Sequence, residues 1–577
     1  MRESKSNSQA SDRRRRAVSG ANAVVMGVLL VLIAVAANAL MSQTFWRLDL
    51  TENQIYTLSE PSLAAVDDLD EPVEVRAFIS PDLPAPFHNL SQDVADLLSE
   101  YEAASGGQLS FKIIAPEDSA ESEEAAAGFG IEQVAIGQQS ESEMSLRAIY
   151  KGVAFIKGDQ SEVIRDLQTT GQPELDNFEY EFTKALLNLQ RPEPRRVAFA
   201  SGAGGPVAEP GFVQSLEQVF SQLYGSLIKA TTYDLSRGEP VPEDVHALVL
   251  LNVQGDVSEE ALFAIDQFLQ RGGSVGWFQS SSVVDEAMQR QLMQQLQQNP
   301  QFAGQLPTMR KRFDSNLIEL FSHYGITLRA DTVIDRERAL SFSLVATPQG
   351  LARVSHPGSF SITDIDTSLP FIRGFSTMAL PVPSSLVIDE ALRGQEGLEF
   401  HEVLRTSSGS TRLPSPPSDM SYQTFMEPAA SEEPGPFVVA ATVQGELPSY
   451  YSDNPLPQGR AESDLVRETE AGRVLVVGSG DFLGPQRETG FDERLAGLGA
   501  QFFLSSVEWL VQDSALSEIR GKAMPRLIGE VSREQQRSIQ FANIVIVPCF
   551  FALLGIFMMG RRRRRKEALS QWMSSSR

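Results

Sequence analysis

Asp481 ends the segment Gly478-Ser479-Gly480-Asp481, which follows the buried-type run Arg473 to Val477. Ligand sites of α/β sheets lie at the carboxyl ends of strands, so a carboxylate there can serve as a general base or a hydrogen-bond acceptor. It can equally fix a turn or cap a helix with no chemical role. A second turn, Ser201-Gly202-Ala203-Gly204-Gly205, follows the apolar run Arg195 to Ala200. Glycines at such a turn let backbone N–H groups approach a phosphate, which makes Ser201, Gly202 and Gly204 candidate ligand contacts. The turn lacks the G-x-G-x-x-G spacing of dinucleotide sites and the Lys-Ser/Thr of a P-loop, and a plain strand-to-helix turn explains it as well. Ser201 is not framed by G-x-S-x-G, so a nucleophile elbow is absent. The histidines are His88, His246, His323, His356 and His401, and no two are close enough to form a local zinc pattern. The single cysteine, Cys549, lies in an apolar run near the end of the chain. No catalytic residue, cofactor or metal ion follows from these patterns.

The elements that must hold these turns alternate. Val73–Ile79 reads as a strand, Ser91–Ala104 as a helix with Val94, Leu97, Leu98 and Tyr101 on one face, and Leu109–Ile114 as the next strand. Gly152–Ile156 and Glu162–Leu167 add a hairpin. This unit suits a thioredoxin-like domain, and the absence of C-x-x-C excludes redox chemistry. A second series follows: Arg195–Ala200 strand, Phe212–Tyr224 helix, Ala247–Leu251 strand, a helix started by Ser258 and stopped by Gly272-Gly273, and Ser274–Phe278 strand. Such alternation predicts a doubly wound parallel sheet. Residues 285–312, rich in Gln and Met, read as a helical insertion or lid. Thr406–Pro436, rich in Ser, Pro and Glu, reads as a long exposed loop. Gln501–Val511 reads as an amphipathic helix.

Charge distribution sets the expected layout. The chain of 577 residues carries a net charge of −26, yet both ends are basic, with Arg13–Arg16 near the start and Arg561–Lys566 near the end. Charge-free apolar runs lie beside these clusters. Each is long enough to cross a hydrocarbon core of ~30 Å, and flanking Lys and Arg stay on the cytoplasmic side. The expected order is a basic tail (1–20), a transmembrane helix (21–42), an N-terminal α/β domain (43–190) and a central α/β domain (191–400). A Ser/Pro-rich loop (401–436), a part completing the sheet (437–530), a second transmembrane helix (538–560) and a basic tail (561–577) follow. Both termini are then cytoplasmic in a bacterial inner membrane, and the acidic body is periplasmic. Ala37-Asn38-Ala39 also fits a signal-peptidase site, which leaves cleavage of the first span as an alternative. A strongly acidic body is a poor nucleic-acid binder.

Several segments, in order, resemble the GldG-like family, auxiliary proteins of ABC-type transport systems first associated with gliding motility. They are Arg47-Leu48-Asp49-Leu50-Thr51, Tyr56-Thr57-Leu58-Ser59, Glu179-Tyr180, Gly272-Gly273, Arg405-Thr406-Ser407 and the stretch from Arg473 to Phe482, which includes Asp481. The resemblance implies a central domain similar to the GIFT domain of intraflagellar transport proteins, with a flavodoxin-like parallel sheet. It implies no catalysis, and it implies an ABC permease and a cytoplasmic ATPase as partners, besides the lipid bilayer. Gly202-Ala203-Gly204-Gly205 departs from the Gly-His-Gly-Glu type of turn common in that family.

Three functions are open at this point. The first is a non-catalytic auxiliary subunit that binds a substrate, envelope polymer or protein and docks on the permease. The second is an envelope scaffold without a transport role. The third is a hydrolase or transferase using Asp481 or Ser201.

Overall fold

The computed structural model describes residues 57–511 apart from 82, 85–86, 140–143, 168–176, 192, 210, 299–308, 348–349, 419–423, 426–432, 468–471 and 482–492. The described residues from Ser59 onward belong to one compact unit.

Helix α1 (Glu60–Asp67) leads into a four-stranded sheet built from β1 (Val73–Ile79), β2 (Leu109–Ile114), β3 (Lys151–Lys157) and β4 (Gln160–Ile164). Its order is β2-β1-β3-β4. β1 and β2 run parallel because α2 (Leu90–Ala104) carries the chain across between them. β3 pairs antiparallel to β1, and β3 with β4 forms the expected hairpin. Helix α3 (Phe178–Gln190) follows, and Phe182 packs edge-on to Phe155 of β3 at 5.5 Å.

The main sheet has ten strands. Five of them are parallel neighbours: β5 (Arg195–Ser201), β6 (Ile228–Asp234), β7 (Ala247–Leu251), β8 (Ser274–Phe278) and, far along the chain, β13 (Gly472–Val477). Between β8 and β13 in sequence come β9 (Ile326–Leu328), β10 (Leu386–Ile388), β11 (Leu398–Arg405) and β12 (Val438–Gly445). The path is β9-β10-β12-β13-β8-β7-β5-β6, with β11 and the short strand Asp364–Ile365 branching from β12. All pairings on the β12 side are antiparallel. The expected parallel sheet is therefore corrected to a mixed one. β12 needs no helical crossover to reach β13 and returns antiparallel beside it. Its Ala440, Ala441 and Val443 are buried like residues of the parallel strands, so its composition does not reveal its direction.

Alternate residues of the parallel strands feed two cores, as the period of two requires. Phe199, Val249, Phe278, Leu475 and Val477 join α4 (Phe212–Tyr224) and α7 (Glu493–Leu510) through Phe220, Tyr224, Phe503 and Val507. Ala198, Leu250, Trp277 and Val476 face α5 (Glu259–Gln270) and α6 (Leu317–His323), where Trp277 stacks on Phe321 at 4.5 Å. Ser258 caps α5 by accepting from Ala261 N, as its position predicts. Asp266, fully buried within α5, accepts from Tyr324 Oη, Ser449 Oγ and Tyr450 N, which ties the helix to a distant loop.

Among the described residues no helix is long and apolar enough to cross a membrane. The expected spans at 21–42 and 538–560 lie outside the described residues. The two-span architecture, its bilayer contact and its inner-membrane placement are accordingly corrected to an α/β body with mixed sheets. The longest described helix, α7, contains the expected amphipathic segment and packs it into the core, with Phe502, Phe503, Val507 and Leu510 buried against the sheet. Thr406–Pro436 is not wholly exposed either. Thr411–Leu413 pairs with Thr332–Ile334, and Phe425 is buried against His356.

Candidate functional site

The carboxyl ends of β7, β8 and β13 lie side by side, and three side chains converge just beyond them. Asn252 follows β7, Ser280 follows β8 and Asp481 follows β13. Asp481 Oδ1 accepts from Asn252 Nδ2 at 2.9 Å, and Oδ2 accepts from Ser280 Oγ at 2.8 Å. A fourth group arrives from the Gln-rich insertion. Arg310 donates through Nη2 to Asp481 Oδ2 at 2.8 Å, with its side chain 6% exposed.

Local structure explains the convergence. Asn252 has φ of 42°, a left-handed conformation that asparagine tolerates better than most residues. Its N–H bonds the carbonyl of Phe278, and its side-chain oxygen accepts weakly from Ser280 N at 3.4 Å. The insertion forms helix Glu286–Gln298 and returns as the strand Arg310–Arg312, antiparallel to Ser282–Val284. That hairpin sets Arg310 Nε against Ser282 Oγ at 2.9 Å. The insertion thus clamps the carboxyl edge through one guanidinium.

The polar lattice continues below the clamp. Gln279, Ser280, Ser281 and Ser282 are all nearly or fully buried, as are Ser384, Ser385 and Ser479. Ser384 Oγ accepts from Ser281 N at 2.8 Å, and Ser479 donates to Pro381 O at 2.7 Å. Asp331 accepts from Ser385 N at 2.8 Å and from Arg412 Nη1 at 3.3 Å. Burial pushes the Asp331 carboxyl above its ordinary value, against the pull of Ser385 and Arg412.

The glycine turn is filled by its own neighbours. A Cβ on Gly202 would strike Asp234, one on Gly204 would meet Gln254 at 2.6 Å, and one on Gly205 would strike the Asn252 carbonyl. The glycines permit close packing at this strand end. Ser236 and Arg237 hold the Asp234 carboxyl below its ordinary value, the Ser236 hydroxyl most strongly, so a negative charge sits beside Gly202. That charge opposes a phosphate. Ser201 Oγ donates to Tyr233 O at 3.3 Å.

The remaining singled-out residues serve separate clusters. Glu179 accepts from Ser59 N at 2.6 Å and from Ser59 Oγ at 2.7 Å, which fastens α1 to α3. Tyr180 is buried beside Lys184, whose ammonium lies 5.6 Å from its ring centre. Gly272 has φ of +83° and ends α5, and Gly273 N bonds Phe268 O at 3.0 Å. Arg405 pairs with Glu402. Thr406 Oγ1 accepts from Phe437 N at 2.9 Å, and Ser407 donates to the buried Asp335 at 2.6 Å. Leu58 is buried. Arg47, Asp49, Leu50, Thr51 and Tyr56 lie outside the described residues. Sequence reasoning missed Asn252, Ser280 and Arg310. The run Gln279-Ser280-Ser281-Ser282 directly after a buried strand was the available signal.

Among the described residues no group of three or more His, Cys, Asp or Glu side chains could hold a metal ion. Asp481 accepts from three side chains, one of them a cation, so its carboxylate is engaged in holding Asn252, Ser280 and Arg310 together. The class these features define is an α/β body whose candidate site at the carboxyl strand ends is a hydrogen-bonded cluster of Asn252, Ser280, Arg310 and Asp481. Residues 194–505, more than half of the chain, match the family model described as "ABC-type uncharacterized transport system", and the chain belongs to that family. It is an auxiliary component of an ABC-type transport system. Residues 52–156 match a domain of unknown function, DUF7088. No curated protein matches the chain. Among solved structures, the chain is similar to the N-terminal domain of mmIFT52, with 12% identity, 55% of this chain and 96% of that one covered, and a TM-score of 0.30. It is also similar to a ThuA-like protein from Bacteroides uniformis, with 10% identity, 56% and 93% covered, and a TM-score of 0.28. Likenesses at that level carry no argument about this chain.

Proposed function

We propose that the α/β body is a binding module of its transport system. It holds a substrate, envelope polymer or envelope protein and docks on the permease, while another subunit hydrolyses ATP. The observation that carries this reading is the engagement of Asp481 by Asn252, Ser280 and Arg310, which removes the one carboxylate best placed for chemistry. A two-part division belongs to the same proposal: an N-terminal unit within 43–190 and a larger unit from 191, completed by 437–530. The separate four-stranded and ten-stranded sheets support it. Residues Ser59, Glu179, Thr406 and Ser407 then act as architectural fasteners, a role supported by their hydrogen bonds.

Reconstitution tests the proposal. The full chain is combined with the permease and ATP-hydrolysing subunit of an ABC-type transport system from the same cell, and ATP hydrolysis is measured. The expected result is a stable three-component complex whose hydrolysis rate changes on adding the chain. A chain that elutes alone, with an unaltered hydrolysis rate, overturns it.

A further inference from the structure

The opposite end of the parallel strands is open. Arg195 begins β5, His246 precedes β7, and Gly273 precedes β8, so all three stand at amino ends, a full strand length from Asp481. They line a cleft of about 390 Å³ together with Arg271, Glu243, Val245 and Phe268. That volume falls within the ~300–1,000 Å³ of small-molecule sites.

The chemistry of the lining is uneven. The Arg195 guanidinium makes no ion pair or hydrogen bond among the described residues, although it is half-buried at the root of a strand. Arg271 donates through Nη2 to Val241 O at 3.0 Å and keeps its other donors. His246 Nδ1 accepts from Arg196 N at 3.2 Å, which assigns the ring proton to Nε2 in the neutral form. Burial, followed by the Arg195 charge, lowers the affinity of His246 for a second proton. Two guanidiniums and an imidazole N–H thus gather in a chain whose net charge is −26. Asp244, which would add a further acid nearby, is taken by Arg196 at 3.0 Å. Glu243 is the one carboxylate in the lining. Buried Val245 and Phe268 give the cleft an apolar wall, and Gly272-Gly273 leaves one side free of side chains.

We propose that this cleft binds a small organic anion, with its carboxylate or phosphate on Arg195 and Arg271 and its apolar part on Phe268 and Val245. A planar guanidinium with unused donors matches either oxyanion in bidentate fashion. The cleft's volume of about 390 Å³ suits a small ligand better than a peptide segment. The site is distinct from the carboxyl-edge cluster and does not depend on the transport reading.

Titration calorimetry on the purified full chain tests it, with benzoate and phenyl phosphate as probes and benzamide as the neutral control. Both anions share the proposed contacts, and whichever binds more tightly identifies the oxyanion the cleft prefers. The expected result is saturable anion binding with a Kd below about 1 mM and none for benzamide. Arg195→Gln should weaken it about tenfold, the loss of one charge-assisted contact. Its melting temperature should stay unchanged, because the side chain has no partner to lose. Glu243→Gln should tighten binding about threefold, by removing a like charge at the rim. This second variant works in the opposite direction, so a folding defect cannot mimic it. Equal binding of benzamide, no saturable anion binding, or affinities indifferent to both substitutions overturns the proposal.

Discussion

Asp481 and Arg310 form a nearly buried ion pair, with side chains 20% and 6% exposed. Such a pair stabilises little relative to apolar replacements, but removing one partner strands a charge. Removing Arg310 takes a charge-assisted donor, itself nearly buried, away from the Asp481 carboxylate. Arg310→Met is therefore expected to cost about 3 kcal/mol in urea unfolding. Asp481→Asn should cost a similar amount, because it strands the guanidinium instead. The double variant should cost clearly less than the sum of the two, since no unpaired charge remains. Simple additivity in that cycle would show that the pair does not hold the insertion onto the carboxyl edge. A base reading of Asp481 predicts something different: loss of a chemical activity with stability unchanged.

At the scale of elements, β1 and β2 are joined on their outer face by a charge network. Glu74 accepts from Arg76 Nη2 at 2.9 Å and from Lys112 Nζ at 3.2 Å, across a register that sets Arg76 opposite Lys112. Arg76 first, and Lys112 after it, hold the Glu74 carboxyl at about 2 against an ordinary 4.5. The folded value is depressed, so its stabilising contribution is present above 4.5 and is lost as pH falls towards about 2. Glu74→Gln should flatten the loss of stability across that window and leave the slope above it unchanged, as followed by urea midpoints at stepped pH. An unchanged acid slope would mean the pairs contribute nothing there. Elements of this kind were legible before the structure. The runs Val73–Ile79, Leu109–Ile114, Ala247–Leu251 and Ser274–Phe278 are apolar, short and bounded by turns, and each is a strand of the expected extent. Strand direction was not legible. Val438–Gly445 has the composition of a buried parallel strand, yet it runs antiparallel, because direction depends on which edge the chain returns from. The carboxyl-edge cluster was half legible: Asp481 was visible beside its glycines. Its partners Asn252, Ser280 and Arg310 stand 229, 201 and 171 residues away, beyond the reach of any local pattern.

The whole molecule is ruled by that return of the chain. β13 sits between β8 and β12, so its neighbours were laid down on both sides of a long excursion. Residues 191–400 supply β5 to β10 and two residue layers over them, but not the strands that join β8 to β10. Without β12 and β13, β8 and β10 each become an open edge with unsatisfied N–H and C=O groups. Val275, Trp277 and Phe278 also lose the neighbours Val474, Val476 and Val477 in register. On one face α7 is missing too, which uncovers Phe199 and Phe278, both packed on Phe503 at 6.1 and 5.3 Å. A fragment of residues 191–400 is therefore expected to be insoluble or to unfold without a cooperative transition. Adding a second chain of residues 437–511 in trans should restore a sigmoidal melt, because loop closure across the excursion is an entropic term that grows only slowly with length. A cooperative melt from 191–400 alone would place the folding boundary before β11 and break the link between the parallel and antiparallel halves of the sheet.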